Sequence, residues 1–233
     1  MRYIKKTTEP VCMTTWKELR KTAEQPLAYD DFDKKKELNE YLRTEQHHIC
    51  CYCQQRIEHF QGNKIGGAHN EHLIPENGPN GDFDKQMDYQ NLYACCIDSQ
   101  GLKKKEKSKR HCGEAKEEKL IRGFIQEEGC NGFFRYNTLG EIIPNGSYDQ
   151  WQEYLVHKDE LTVDLKDATD AINTLNLNCH FLVEDRKGDL DKLLLLLNGF
   201  SKDQVQEKMI EFEQSETFLR YVDMLFYFMK QKK

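Results

Sequence analysis

Cysteines with the spacing of metal ligands stand out in this sequence of 233 residues. Cys50 and Cys53 have two residues between them, the gap that lets two thiolates reach one zinc ion from a tight turn. A closed tetrahedral site needs a second pair, and the candidates are Cys95 or Cys96 followed by Cys112. Fifteen residues separate Cys96 from Cys112, more than in a usual second knuckle. The alternative is a set of buried thiols that act as small apolar side chains, but the first pair favours structural zinc.

A histidine beside a carboxylate lies between the two halves of the cysteine pattern. Glu71 and His72 are followed by the turn-prone Pro75. A neutral imidazole can take a proton from water, and a carboxylate can hold a hard divalent cation such as Mg²⁺ that polarises a phosphate. A lone histidine is more often a packing residue, so the pattern alone leaves both functions open. His69 is a weaker candidate, and in a strand it would share a face with Glu71 rather than with His72.

The charge of the chain limits where nucleic acid could bind. The formal net charge is −6, so the protein as a whole does not attract DNA, and any DNA-binding surface must be a local basic patch. Such a patch is predicted in the segment 99–110, which lies between two candidate zinc ligands. Its basic residues are Lys103, Lys104, Lys105, Lys107, Lys109 and Arg110. We expect these side chains, and Lys116 further on, to contact backbone phosphates, whereas the alternative is a solvated surface loop.

Cysteine usage and the apolar pattern predict a cytoplasmic protein without a membrane segment. The nine cysteines are an odd number, and no apolar segment follows the N-terminal residues that could act as a signal peptide. The longest aliphatic run is residues 193–197, too short to span a bilayer. These features favour reduced thiols that bind metal over a disulfide framework.

Helices and short strands must position these residues. A capping-box pattern at Thr15 and Glu18 predicts a helix to about Ala23, and a second helix is predicted to begin near residue 31 or 33. A knuckle and a short strand are expected over 50–60, a returning strand over 68–74, and a helix over 113–126. The later part of the chain predicts a hairpin within 129–144 and helices over 164–175, 179–197 and 201–230, the last with a capping box at Ser201. The fold class is α+β, with an N-terminal helical extension over 1–48, a core over 49–127, and a hairpin and helical region over 128–233.

The segment from Cys50 to Lys116 resembles the HNH, or ββα-metal, nuclease family. That family's pattern is C-x-x-C, then Glu/Asp-His-x-x-Pro, then Asn-Leu, then a second cysteine pair before a helix. The matching residues are Cys50-Cys51-Tyr52-Cys53, Glu71-His72-Leu73-Ile74-Pro75, Asn91-Leu92, Cys96 and Cys112. More narrowly, the chain resembles the PtuB-like HNH proteins of retron and Septu anti-phage systems. The residues that carry this narrower resemblance are Ile4-Lys5-Lys6, Gln46 before Ile49-Cys50, and Ala171-Ile172-Asn173-Thr174-Leu175-Asn176-Leu177-Asn178.

The resemblance implies a role for each matched residue. His72 would be the general base, Glu71 a ligand of catalytic Mg²⁺ or Mn²⁺, and Asn91 the brace of the loop that aims His72. Structural zinc would be bound by Cys50, Cys53, Cys96 and Cys112, with Cys96 preferred to Cys95 because the family places this cysteine five residues after the asparagine; His111 is an alternative donor. The family often has a metal-binding asparagine or histidine after the last zinc cysteine, where this chain has Gly113. The third ligand of the catalytic ion therefore stays open among Glu114, Glu117 and Asp98, and the alternative is that Glu71 and the substrate hold the ion together with waters.

As a whole, the resemblance implies a ββα-metal core embedded in helices and an endonuclease that hydrolyses DNA phosphodiester bonds. It further implies that the protein is the effector nuclease of an anti-phage complex. The partners that it implies are a PtuA-type ATPase and a retron reverse transcriptase with its DNA. Two other functions are compatible with the residues. One is a non-catalytic zinc module that binds nucleic acid or a partner protein, and the other is a structural subunit whose helices dock onto a larger assembly.

Overall fold

Two small sheets and several helices form the part of the chain that the computed structural model describes, residues 1–60, 67–97 and 109–232. The first sheet contains β1 (His59–Phe60), β2 (Gly67–His72) and β3 (Leu92–Cys96), and the second contains β4 (Phe134–Tyr136) and β5 (Ile142–Pro144). The α-helices are α1 (Val11–Thr22), α2 (Lys35–Glu45), α3 (Gly113–Lys116), α4 (Trp151–Val156), α5 (Val163–Thr174), α6 (His180–Leu196), α7 (Lys202–Glu213) and α8 (Val222–Gln231). The predicted α+β class is confirmed. In the described parts of the chain, no helix is both long and apolar enough to cross a membrane.

The three-stranded sheet carries Glu71 and His72 on its central strand. Strand β2 pairs antiparallel with β3, which sets Glu71 opposite Tyr93 and His72 opposite Leu92. The predicted strand over 68–74 is confirmed in place, but the prediction that it returns along the preceding strand is wrong, because β1 runs parallel to β2. The antiparallel partner is β3, which was not predicted. All five residues of β3 are buried, so its sequence shows no alternation of apolar and polar residues that would indicate a strand.

The N-terminal helices differ from the predicted ones at their starts. Helix α1 begins at Val11 rather than after Thr15, because the carbonyl of Pro10 accepts hydrogen bonds from the backbone N–H groups of Met13 and Thr14. Proline suits a helix start since its fixed φ is compatible with the first turn. A short 3₁₀ turn, Tyr29–Asp31, precedes α2, which buries Leu38 and Leu42 against the sheet.

The helix predicted over 113–126 is wrong in length. Helix α3 has four residues, and it ends at Glu117, whose φ of 50° and ψ of −125° are far from helical values. The helix cannot continue through a residue in this conformation. A separate 3₁₀ turn at Phe124–Gln126 then buries Phe124 and Ile125. In this stretch, burial of these two side chains stabilises the chain in place of the hydrogen bonds of a continued helix.

The C-terminal part forms the predicted hairpin (β4 and β5) and the predicted helices α5 and α6. The helix predicted over 201–230 is instead two helices, although the capping box at Ser201 is confirmed. Between α7 and α8 the backbone N–H of Phe218 donates to the carbonyl of His47, and that of Tyr221 donates to the carbonyl of Gln54. The helix is interrupted where the chain hydrogen-bonds to the segment that carries the first cysteine pair. The division into segments 1–48, 49–127 and 128–233 stays a prediction, and these hydrogen bonds cross both of its boundaries.

Candidate metal centre and active site

A tight turn presents the first cysteine pair. The backbone N–H of Cys50 donates to the carbonyl of Gln55, and that of Gln54 donates back to the carbonyl of Cys50. Gln54 has a φ of 65°, which lets the chain reverse, and an isolated bridge between Ile49 and Arg56 closes the turn. The predicted knuckle is therefore confirmed, and it places both thiols on the inner side of a short loop.

The side chain of Gln46 ties this knuckle to β3. Its amide oxygen accepts a hydrogen bond of 2.7 Å from the backbone N–H of Ala94. Its amide nitrogen donates to the carbonyls of Ala94 at 2.7 Å and Ile49 at 3.0 Å. One buried glutamine thus sets the distance between the first cysteine pair and the strand that carries Cys95 and Cys96.

The predicted zinc ligands come together in the interior. The Sγ atoms of Cys53 and Cys96 are 3.6 Å apart, and those of Cys50 and Cys112 are 3.9 Å apart. All four residues are buried thiols rather than disulfides. Sulfur atoms from three distant segments at these separations form a site that can hold a thiophilic metal ion such as zinc.

The cluster offers more donors than one tetrahedral ion needs. Among the described residues, two groups of four at this cluster could each hold a metal, namely Cys50, Cys95, Cys96 and Cys112, and Cys53, Cys96, His111 and Cys112. The Nδ1 atom of His111 lies 3.2 Å from the Sγ atom of Cys112, and the backbone N–H of Cys96 donates to the Sγ atom of Cys50 at 3.3 Å. Cys96 and Cys112 belong to both groups. The choice among the other donors stays a prediction.

Mutual hydrogen bonding separates the pKa values of these thiols. Burial opposes the thiolate form of Cys50, but hydrogen bonds from the other thiols outweigh this effect and lower its pKa well below the ordinary value. The same balance lowers the pKa of Cys95 to about 6, whereas burial and the same neighbours raise the pKa of Cys112 well above its ordinary value. A cluster that already stabilises some thiolates is suited to metal binding, since the ligating form of cysteine is the thiolate.

His72 ends β2 with its imidazole ring fixed from two sides. Its Nε2 atom donates to the carbonyl of Gln86 at 2.8 Å, and its ring packs edge-on against the ring of Tyr29 with centroids 4.7 Å apart. Since a carbonyl only accepts, the proton lies on Nε2 and the lone pair on Nδ1. Nδ1 is 4.0 Å from the Oε1 atom of Glu76, beside a cleft of about 230 Å³. Burial lowers the pKa of His72, which favours the neutral form that a general base requires.

Asn91 clamps the loop that follows β2. Its Oδ1 atom accepts from the backbone N–H of Ile74 at 2.7 Å. Its Nδ2 atom donates to the carbonyls of Ile74 at 2.9 Å and Lys85 at 3.1 Å. The next residue, Gln86, supplies the carbonyl that holds the ring of His72. Asn91 therefore holds the loop on which Gln86 lies, and its role as a catalytic brace stays a prediction.

Glu71 is buried and each of its carboxylate oxygens has its own contacts. Oε1 lies 3.0 Å from the Nζ atom of Lys116 and accepts from the Tyr52 hydroxyl at 3.3 Å. Oε2 lies 3.1 Å from the Nε2 atom of His69, so the predicted sharing of one strand face by these two residues is confirmed. Burial alone would raise the pKa of Glu71, but the hydrogen bond with His69 and the charge of Lys116 outweigh it and lower that pKa.

The basic residues that were predicted to contact DNA are only partly described. Lys103, Lys104, Lys105 and Lys107 lie outside the described residues. Lys109 and Arg110 are described, and the Nη1 atom of Arg110 lies 3.8 Å from the Oε1 atom of Glu117. Lys116 is 1% exposed and donates to the carbonyl of His72 at 2.8 Å. Its ammonium group is thus part of the site around Glu71, which differs from the surface phosphate contact that was expected.

The predicted alternatives for a third ligand also differ from what the structure brings together. Asp98 lies outside the described residues, and neither Glu114 nor Glu117 belongs to a group that could hold a metal among the residues that are described. The group at this site consists of His69, Glu71 and Cys95. Alternation along β2 was the signal for His69, whereas the carbonyl of Gln86 left no signal in the sequence because any residue could supply it.

Comparison with known proteins adds one relative. No family model matches the sequence. A protein of Vibrio cholerae serotype O1 biovar El Tor, named "Retron Vc95 putative HNH endonuclease", is 24% identical to this chain over 201 residues. The match covers 84% of this chain and 85% of that protein, so it reaches well beyond the segment from Cys50 to Lys116. The chain is thus similar over most of its length to a protein that is named a retron HNH endonuclease.

Proposed function

We propose that this protein is a metal-dependent endonuclease of the HNH type that hydrolyses DNA phosphodiester bonds. The observation that carries the proposal is the orientation of His72. Its Nε2–H is held by the Gln86 carbonyl and its Nδ1 lone pair is kept available, next to a carboxylate and a cleft. A buried histidine with only a packing role would not need a clamp by Asn91 on the loop that holds it.

Each residue has a part in the proposed reaction. The Nδ1 atom of His72 accepts the proton of the attacking water, and Asn91 keeps the Gln86 carbonyl in place so that the ring does not turn. Glu71 would hold Mg²⁺ or Mn²⁺, which supplies positive charge for the phosphate and the leaving oxygen. Lys116 keeps Glu71 ionised and in position. The products would carry 5′-phosphate ends, as the family's do.

Zinc has a structural part in this proposal. Cys50, Cys53, Cys96 and Cys112 would bind one ion, joining the knuckle, β3 and the start of α3. These three segments carry or adjoin the residues that act on DNA. We further propose that the protein is the effector nuclease of an anti-phage complex in the cytoplasm, with a PtuA-type ATPase and a retron reverse transcriptase and its DNA as partners. The similarity to a protein named a retron HNH endonuclease supports the retron part of this proposal.

The central experiment is cleavage of plasmid DNA by the His72→Ala variant, with and without a co-encoded ATPase. We expect a loss on the order of 10²–10⁴ in rate, because the variant lacks the proton acceptor. Asn91→Ala should give a smaller loss, since this residue only positions. The matched control is His59→Ala, an imidazole that is about half exposed on β1 and outside the cleft. Circular dichroism and zinc content have to match the wild type, and a wild-type rate for His72→Ala would contradict the proposal.

A non-catalytic zinc module is the second candidate, and the ion pair of Glu71 with Lys116 favours it. In that function the carboxylate serves only to neutralise a buried lysine. Such a protein would bind nucleic acid or a partner but would not cut DNA with any divalent ion. The His72→Ala experiment separates the two candidates, because a binding module has no cleavage rate to lose.

A further inference from the structure

His69 and Glu71 form a second place where this chain can bind a metal ion. The two residues are separated by one position on β2, so their side chains lie on the same face. We infer that His69 is a ligand of the divalent ion at Glu71, which makes the catalytic centre a nitrogen–oxygen site that prefers Mn²⁺ to Mg²⁺. This inference rests on the proposed function. It assigns to His69 the part of the metal ligand that the family often has after the last zinc cysteine, where this chain has Gly113.

The separation of the two donor atoms fits a shared ion. His69 Nε2 and Glu71 Oε2 are 3.1 Å apart and share a hydrogen bond. When an ion binds, His69 Nε2 releases its proton to solvent, and two metal bonds replace the hydrogen bond. Neighbouring corners of an octahedron with ligands at about 2.1 Å lie about 3.0 Å apart. The other carboxylate oxygen, Oε1, is taken by Lys116 and Tyr52. Glu71 therefore offers Oε2 towards His69 while its position is secured through Oε1.

Gly113 provides the space for this pair. A Cβ atom at this position would lie 2.4 Å from Glu71 Oε2 and 2.8 Å from His69 Nε2, distances that such contacts essentially never show. Gly113 is not among the glycines with positive φ, so its backbone conformation suits any L-residue. The atoms nearest to such a Cβ belong to the side chains of Glu71 and His69. The first residue of α3 is small, and the imidazole on the strand lies in the space that this leaves.

Cys95 borders both sites but is better placed for the other one. Its ligand atom lies within 4.8 Å of those of His69 and Glu71. Its Sγ atom, however, accepts from the backbone N–H of Gly113 at 3.3 Å and lies 3.9 Å from the Sγ atom of Cys50. We therefore assign Cys95 to the wall between the two sites, with His69 and Glu71 as the protein ligands of the catalytic ion.

The donor types determine which ion is preferred. Mg²⁺ binds almost entirely to oxygen ligands, whereas transition metals accept imidazole nitrogen readily. A site with one imidazole and one carboxylate should therefore bind Mn²⁺ more tightly than Mg²⁺. If His69 is a ligand, removing its imidazole should remove most of the preference for Mn²⁺. If the ion is instead held by Glu71 and water alone, removing the imidazole should change the preference little.

The test is a titration of zinc-loaded protein with Mn²⁺, in which electron paramagnetic resonance measures the concentration of the free ion. Competition with Mg²⁺ in the same titration gives the relative affinity for the two ions. We expect His69→Ala to weaken Mn²⁺ binding by more than about tenfold and Mg²⁺ binding by much less. His69→Gln keeps a polar side chain of similar reach and should also lower the preference for Mn²⁺. The exposed His59→Ala variant is the control and should bind both ions as the wild type does.

A second variant keeps the inference testable if His69→Ala unfolds. Gly113→Ala, introduced into the otherwise unchanged protein, should displace Glu71 Oε2 and His69 Nε2 and weaken Mn²⁺ binding. In the His69→Gln background it should have a smaller effect, because the imidazole ligand is already absent, and such non-additivity indicates that the two positions share one site.

Unchanged Mn²⁺ affinity in a folded His69→Ala protein would overturn the inference even if DNA cleavage were lost. Weakened Mn²⁺ binding would support it even if the wild type did not cut DNA. In that second case only the proposed function would fail, because the binding measurement contains no DNA and does not depend on hydrolysis.

Discussion

The cysteine-rich segment and the C-terminal helices are stabilised by different contacts. Around the cysteines the strands have two to six residues, and buried polar side chains such as Gln46 and Asn91 hold the loops through several hydrogen bonds each. In the C-terminal region, α5, α6 and α8 bury apolar side chains such as Ile172, Leu190 and Met229. The first region should therefore depend on its ligands, and the second on packing.

The two regions are nevertheless coupled by hydrogen bonds, and Asp223 makes two of these contacts. Asp223 at the start of α8 accepts from the side chain of Gln54 at 2.6 Å and from Arg2 at 2.9 Å. The Gln54 carbonyl accepts from the backbone of Tyr221. The knuckle that carries the first cysteine pair is thus attached to the C-terminal helices. Loss of metal from the cluster should loosen this attachment without dissolving the helices themselves.

The largest effect on stability should come from the metal cluster. We expect Cys53→Ser to lower zinc content and to decrease the free energy of unfolding by about 3–5 kcal/mol, which is on the order of 10 °C in Tm, because ion binding and local folding are coupled. Elemental analysis and differential scanning calorimetry measure both quantities. Cys12→Ser is the control, since Cys12 lies on α1 away from the cluster and should change neither. A fully folded protein without metal would contradict this prediction.

An intermediate effect is expected in the helical region. Leu190 on α6 is 1% exposed, so Leu190→Ala should cost about 2–5 kcal/mol by leaving a cavity. Zinc content should stay at the wild-type value, which distinguishes this variant from Cys53→Ser. Leu195→Ala on the same helix is the matched control, because Leu195 is 77% exposed and its truncation should change stability by less than about 0.5 kcal/mol. Urea unfolding measures the difference, and a loss of zinc in Leu190→Ala would show that the two regions do not unfold separately.

The smallest effect on the fold, but a clear one on binding, should come from the basic segment. Replacing Lys103, Lys104 and Lys105 by Ala should weaken binding to DNA of any sequence and flatten its dependence on salt, because fewer counterions are released. Fluorescence anisotropy at several salt concentrations measures the slope, while Tm and zinc content serve as controls. An unchanged slope would assign the segment to the solvated surface.

Local signals in the sequence were sufficient for several parts of the site. The two-residue gap between Cys50 and Cys53 indicated a knuckle, and alternation placed His69 and Glu71 on one strand face. The hairpin of β4 and β5 and the capping box of Ser201 were also predicted, since turn and cap residues act on neighbours close in the chain. In each case the physical cause lies within a few residues, where a pattern in the sequence can report it.

Contacts between distant segments decided the rest. Strand β3 is buried along its whole length and shows no alternation, so only its pairing with β2 identifies it. Helix α3 ends at Glu117, whose φ and ψ are not helical. Lys116 turns inward because its ammonium group forms an ion pair with Glu71 and donates to the His72 carbonyl. The space that Gly113 leaves for His69 likewise exists only once α3 lies against β2. Sequence periodicity reports which face of an element is apolar, but which buried partner a polar group finds depends on the packing of elements far apart in the chain.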